Sequence, residues 1–126
     1  MPRRWVTGWK LHEADRERLL SRFAPRFPDV IGDHVTLRTG TDHITPLPRE
    51  TSGEVVGEID DGAGVQALVV RIAGTTERGD GSTYHITWSL DRARGRQPVE
   101  SNDVIARLGW RAVRDPVPIR LHPARF

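Results

Sequence analysis

The chain has 126 residues, 37% hydrophobic and 29% charged, which suits one domain spanning 1–126 around a single core and excludes a multidomain machine. Cysteine is absent, so disulfides, thiolate nucleophiles and zinc–thiolate sites are excluded together, and chemistry falls to histidines, carboxylates and hydroxyls. The longest apolar run, Ala67–Val70, is far below the roughly 20 residues that cross a bilayer, and Met1-Pro2-Arg3-Arg4-Trp5 opens no apolar signal segment; the expectation is a soluble, cytoplasmic protein with no membrane partner. Eighteen of the 19 basic residues are arginine, yet the formal charge is only +2, so local clusters say more than the total.

Residues 5–11, aromatic and β-branched, predict a first strand. His12–Phe23 predicts an amphipathic helix: Glu13 and Asp15 come early, Arg22 late, and Leu11, Leu19, Leu20 and Phe23 form a stripe at helical spacing that ends before Pro25. Asp33–Arg38 alternates with period two, which predicts a strand with Val35 and Leu37 turned to the core. Residues 39–52 read as a long irregular loop. Glu54–Ile59 and Val65–Ile72 read as a hairpin closed by the turn residues Asp60–Gly64. After a polar connection, Thr75–Thr83, the run Tyr84–Leu90 alternates as Asp33–Arg38 does. Asp91–Pro98 is a loop whose Arg92, Arg94 and Arg96 make either a phosphate-facing arm or a merely solvated surface. Ser101–Leu108 reads as a short helix capped by Ser101 and stopped by Gly109, and Trp110–Leu121 as a strand that Pro116 and Pro118 assign to an edge. The order β-α-β-β-β-β-α-β implies an α+β domain with mostly antiparallel sheets and helices against one face.

Five histidines and ten threonines placed at random in 126 positions give about 0.4 instances of His-x-Thr, and three are present: His34-Val-Thr36, His43-Ile-Thr45 and His85-Ile-Thr87. In a strand, positions i and i+2 share a face about 6.6–7 Å apart, so each His and Thr project together while Val35, Leu37, Ile86 and Trp88 anchor the other side. Two such strands facing each other put an imidazole on either side of a bound group. In-line attack at phosphorus needs that arrangement: one histidine takes the proton of the incoming oxygen, the other gives one to the leaving oxygen, and Thr36 and Thr87 donate to the non-bridging oxygens. No metal is required, and no cluster has metal-ligand spacing. His43-Ile-Thr45 precedes Pro46 in the loop and reads as a coincidental match; His12 and His122 have no hydroxyl at the same spacing.

With His34-Val-Thr36-Leu and His85-Ile-Thr87-Trp on strands flanking a hairpin, the sequence resembles the 2H phosphoesterase superfamily. Tyr84-His-Ile-Thr-Trp-Ser-Leu followed by Gly95-x-x-Pro98-x-x-Ser101-Asn102, with Phe23-Ala-Pro and Asp33-His-Val-Thr-Leu, resembles the cyclic phosphodiesterase domain of fungal-type tRNA ligases and related RNA-repair proteins. The resemblance implies a bilobal fold with two helices outside and a central cleft. It implies metal-independent, cofactor-free opening of 2′,3′-cyclic phosphates, leaving a 2′-phosphate, with RNA ends as substrate.

Four further residues are candidates for contact with substrate. Arg38 shares parity with His34 and Thr36 and suits a phosphate oxygen, with a solvated strand-end arginine as the alternative. Ser101 and Asn102 open a helix, where backbone N–H groups favour anions, although capping alone explains the serine. Tyr84, like Trp9, offers a ring for a base or for the core. The activity expected is hydrolysis of RNA 2′,3′-cyclic phosphate ends by a monomer. The competing expectations are a non-catalytic RNA- or nucleotide-binding module and a phosphodiesterase for small cyclic nucleotides.

Overall fold

The computed structural model describes residues 4–126; residues 1–3, part of the opening run weighed above for a signal segment, lie outside the described residues. Strand β1 (Trp5–Leu11) leads into helix α1 (Glu13–Arg22), whose N-cap is His12, its Nδ1 accepting from the Ala14 N–H at 3.3 Å. There follow β2 (Asp29–Val30), β3 (His34–Thr41), β4 (Ser52–Asp60), β5 (Val65–Arg71) and β6 (His85–Leu90). A single 3₁₀ turn (Arg92–Arg94), helix α2 (Glu100–Leu108) and the 15-residue β7 (Arg111–Arg125) complete the chain. The strands pair antiparallel in the order β2-β6-β5-β4-β7-β1-β3. This is an α+β protein, and among the described residues no helix is long and apolar enough to cross a membrane.

The core explains where the helices lie. Val65–Val70 on β5 is buried at every position, so both faces of that strand need cover. One face packs Leu68 and Val70 with Trp9, Val35, Ile86, Trp88 and, from α1, Leu19. The other packs Ala67 and Val69 against Val56 and, from α2, Ile105. The helices therefore cover opposite faces, which corrects the one-sided arrangement expected above.

The last strand corrects another expectation. The prolines of Trp110–Leu121 predict an edge strand, yet β7 lies between β4 and β1 and runs to Arg125. Arg111–Ala112 and Val117–Arg120 pair with β4 and Leu121–Arg125 pairs with β1, while residues 113–116, including Pro116, form a wide bulge opposite Val55–Gly57. Each half of β7 thus leaves one side free. Over 115–120 that side is closed by α1: Arg22 Nη2 donates to Asp115 O at 2.9 Å, Arg18 Nη2 to Pro118 O at 3.0 Å, and the Arg120 N–H donates to Asp15 Oδ2 at 2.7 Å. Pro118 shares the parity of Arg120, so its missing N–H falls on that helix side and costs no ladder bond. Pro123 faces Trp9, one step from the hydrogen-bonded pairs set by Val6 and Phe126, and likewise removes no bond to β1.

One short segment joins the ends of the sheet order. Asp29 and Val30 pair with Leu90 and Ser89 of β6; the Ile31 and Gly32 N–H groups donate to Trp88 O and Thr87 O at 2.9 and 3.0 Å; and Asp33 O accepts from the Leu11 N–H of β1 at 3.0 Å. Arg16 of α1 ties the segment down through Gly32 O and Ile31 O at 3.0 and 3.2 Å. Gly32 is required there: its φ is +52°, and a Cβ would sit 2.9 Å from the Trp88 ring.

Candidate functional site

Alternation decides which side chains meet. Val35 on β3, Trp9 on β1, and Ile86 and Trp88 on β6 point into the α1-side core, so His34, Thr36, Lys10, His85 and Thr87 all take the other face. Across β1, Lys10 stands opposite His34 on one side and His122 on the other. The Gly32–Asp33 crossing sets the start of β3 beside Thr87, and the charge of a protonated His34 reaches His85.

The two imidazoles are held differently. His85 is buried, and its Nδ1 lies 2.8 Å from Thr83 O; a carbonyl only accepts, so Nδ1 carries the hydrogen and Nε2 presents the lone pair. Burial, joined by the positive charges of Arg78 and His34, pushes the His85 pKa below its ordinary value against the opposing pull of the Thr83 carbonyl. His34 is only partly buried, and its Nδ1 lies 3.0 Å from Asp33 Oδ2. That carboxylate also accepts from Lys10 Nζ at 2.6 Å. Burial acts to raise the Asp33 pKa, but the Lys10 and His34 hydrogen bonds outweigh it, so Asp33 stays ionised and accepts from the His34 Nδ1–H. The Phe126 ring closes this corner, 4.7 Å from the His34 ring centre and 4.5 Å beneath Lys10 Nζ. Each histidine is thus anchored through Nδ1 with Nε2 left over, one in a neutralising environment and one beside a carboxylate.

Thr87 is buried next to His85, its Oγ1 2.9 Å from Ser101 Oγ and 3.2 Å from Pro98 O. With Ser101 as donor, Thr87 gives its single hydrogen to Pro98 O, and turning it toward a ligand needs only rotation of the hydroxyl. Thr36 sits on β3 opposite Gly8, half-buried. Gly8 permits this pairing, since a Cβ there would collide with the Val35 carbonyl at 2.2 Å.

The other candidates divide. Ser101 is no cap: Val99 holds that position, and the fully buried Ser101 hydroxyl supports Thr87 from inside α2. Asn102 donates to Val99 O at 3.1 Å and accepts from Arg78 Nη2 at 3.4 Å. Tyr84 shares the parity of Ile86 and Trp88, so it lies in the core, edge-on to Trp9 at 5.7 Å, and neither ring is offered to a base. Arg38 is exposed just beyond a slip in the β1–β3 register, where strict alternation with Thr36 no longer holds. Two of the three arginines of 92–96 are paired rather than extended as an arm: Arg96 pairs with Asp61 at 2.9 Å and Glu100 at 3.2 Å and donates to Ala63 O, and Arg94 pairs with Asp91 at 3.2 Å, while Arg92 is exposed. His43 and Thr45 stand in the exposed turn after β3, where Asp42 Oδ1 accepts from the N–H groups of Ile44 and Thr45 and the Thr45 hydroxyl.

Sequence reasoning missed Lys10, Asp33, Phe126 and Arg78. Asp33 adjoins the first motif, and the turn Arg78-Gly-Asp-Gly-Ser82 opens directly into the second; those positions are the signal. Among the described residues no group of three or more His, Asp or Glu is placed to hold a metal ion. Two surface concavities, one lined by Asp15, Arg18, Glu54 and Arg120 and one by Asp80, Thr83, Asn102 and Trp110, include neither His34 nor His85. Comparisons with protein-family models, curated proteins and solved structures gave no match.

Proposed function

We propose that this protein is a phosphodiesterase that opens terminal 2′,3′-cyclic phosphates of RNA by two-histidine acid–base chemistry, on a 2H-like bilobal arrangement with the His34 and His85 strands lining its cleft. The observation that carries the reading is the pair of Nδ1-anchored imidazoles in opposite electrostatic settings. His85, kept neutral by burial, takes a proton from water at Nε2 as the water oxygen bonds to phosphorus. The P–O3′ bond breaks, and His34, its Nδ1–H held by Asp33, delivers its Nε2 proton to O3′. The product carries a 2′-phosphate and a 3′-hydroxyl; proton exchange with solvent restores both rings. Thr36 and Thr87 donate to the non-bridging oxygens, where charge collects.

The test is incubation of an oligoribonucleotide ending in a 2′,3′-cyclic phosphate with the protein and EDTA, followed by phosphorus NMR. Conversion of the cyclic resonance to one monoester at the 2′ position is expected. Persistence of the cyclic resonance on the oligomer and on a cyclic mononucleotide would overturn the reading in favour of a binding module; turnover of the mononucleotide alone would move the substrate to small cyclic nucleotides.

A further inference from the structure

The turn that delivers β6 carries a cation for which the mechanism above has no use. Arg78 and Ser82 face each other beside the isolated Glu77–Thr83 bridge, with the Arg78 N–H donating to Ser82 O at 3.0 Å, and the next carbonyl, Thr83 O, orients His85. The Arg78 side chain is only 11% exposed. Its described side-chain bonds both leave from Nη2, to Asp80 Oδ2 at 3.2 Å and Asn102 Oδ1 at 3.4 Å, and its buried Nε has no hydrogen-bond partner. Asp80 is a weak counterion: its side chain is 57% exposed, and its other oxygen is engaged by the Ser82 N–H at 2.9 Å and the Ser82 hydroxyl.

A guanidinium withdrawn from water and matched by one long, exposed ion pair is undercompensated, and an anion with two or more oxygens relieves it best. We infer that Arg78 binds the non-bridging oxygens of the phosphate beside His85, with Asp80 and Asn102 holding the guanidinium toward it. The inference rests on the reading proposed above for its substrate, but it makes a separate claim about an anion site. The same placement explains why Arg78 helps keep His85 neutral when the site is empty, and why a bound anion would relax that effect.

The experiment titrates the whole chain with inorganic phosphate and with adenosine 2′-monophosphate, following the His85 ring by NMR, for wild type, Arg78→Gln and Arg78→Lys. Saturable shifts at His85 in wild type, a rise in its apparent pKa with bound anion, and a loss of affinity of at least about tenfold in Arg78→Gln are expected. If Arg78→Gln does not fold, Arg78→Lys decides, because it keeps the charge and loses the fork; affinity several-fold weaker than wild type is expected. Wild-type affinity in the folded variant overturns the inference, as does absence of anion binding by wild type. The two claims fail separately. Anion binding through Arg78 without hydrolysis removes only the proposed reaction, while hydrolysis with KM and anion affinity unchanged in Arg78→Gln removes only the anion site.

Discussion

Gly32→Ala tests the crossing that sets His34 beside β6. At φ +52° an L-residue pays about 1–2 kcal/mol for the left-handed region. The new Cβ would stand 2.9 and 3.2 Å from two Trp88 ring carbons and 3.3 Å from Arg16 Nε. Trp88 is fully buried, with Nε1 donating to Phe23 O at 2.7 Å, and Arg16 is tied to two carbonyls of the same segment. Neither neighbour yields freely, so overpacking adds about 1–3 kcal/mol. Loss of glycine's freedom in the unfolded chain returns roughly 0.4–1 kcal/mol, for a net destabilisation of about 1–5 kcal/mol. Gly40→Ala is the control, because Gly40 has φ +65° with nothing within 4 Å of a Cβ and so carries the backbone cost alone. Urea unfolding of the two variants beside wild type isolates the Trp88 contact as their difference, expected at about 1–3 kcal/mol. Equal losses in both variants would refute the argument that Gly32 is selected by Trp88.

His85 is pushed below the ordinary 6.5 in the folded state, so the unfolded chain binds more protons below that pH; its contribution is complete above about pH 6.5 and lost as pH falls through the folded value. Chemical denaturation of His85→Gln across pH 5–8 should show a shallower acid-side loss than wild type, and parallel curves would contradict the burial argument. Arg96→Ala should destabilise by about 1–2 kcal/mol, since it strips a partner from Asp61, whose side chain is only 6% exposed, while leaving the salt dependence of RNA binding unchanged; a reduced salt slope would restore the arginine arm. Asp33→Asn keeps an acceptor for His34 Nδ1 but removes its charge, so kcat should fall about tenfold with KM nearly constant, and an unchanged kcat would remove Asp33 from the acid's support.

Much of the fold was legible in local periodicity. The first strand ends where Trp-Val-Thr-Gly-Trp-Lys-Leu ends, and α1 lies within one residue of its expected limits, because an amphipathic stripe and charge polarity act within a few turns. The place of the long β7 is not legible locally, because proline penalises a ladder only on the side where its N–H would point; which side that is depends on register with β4 and β1, which no local pattern carries. The same limit applies to the site. His34 and His85 stand out by repetition and parity, and parity also places Tyr84 with Ile86 and Trp88, yet whether such a ring meets core or ligand depends on Trp9, 75 positions away. Ser101 had the composition of a cap, but its partner Thr87 belongs to another element. Arg92, Arg94 and Arg96 look alike in sequence; Asp91 and Glu100 lie within four residues of Arg94 and Arg96, but the buried Asp61 that claims Arg96 comes from the β4–β5 turn and appears only with tertiary structure.

In the proposed reaction His34 and His85 work as a pair on one phosphate. Single-turnover cleavage of the cyclic-phosphate oligoribonucleotide by His34→Ala and His85→Ala, with circular dichroism confirming that both fold, measures it most directly. The rate should fall at least about 10²-fold in each variant, as for removal of a positioned acid or base. Cleavage near the wild-type rate by either folded variant would contradict the two-histidine account.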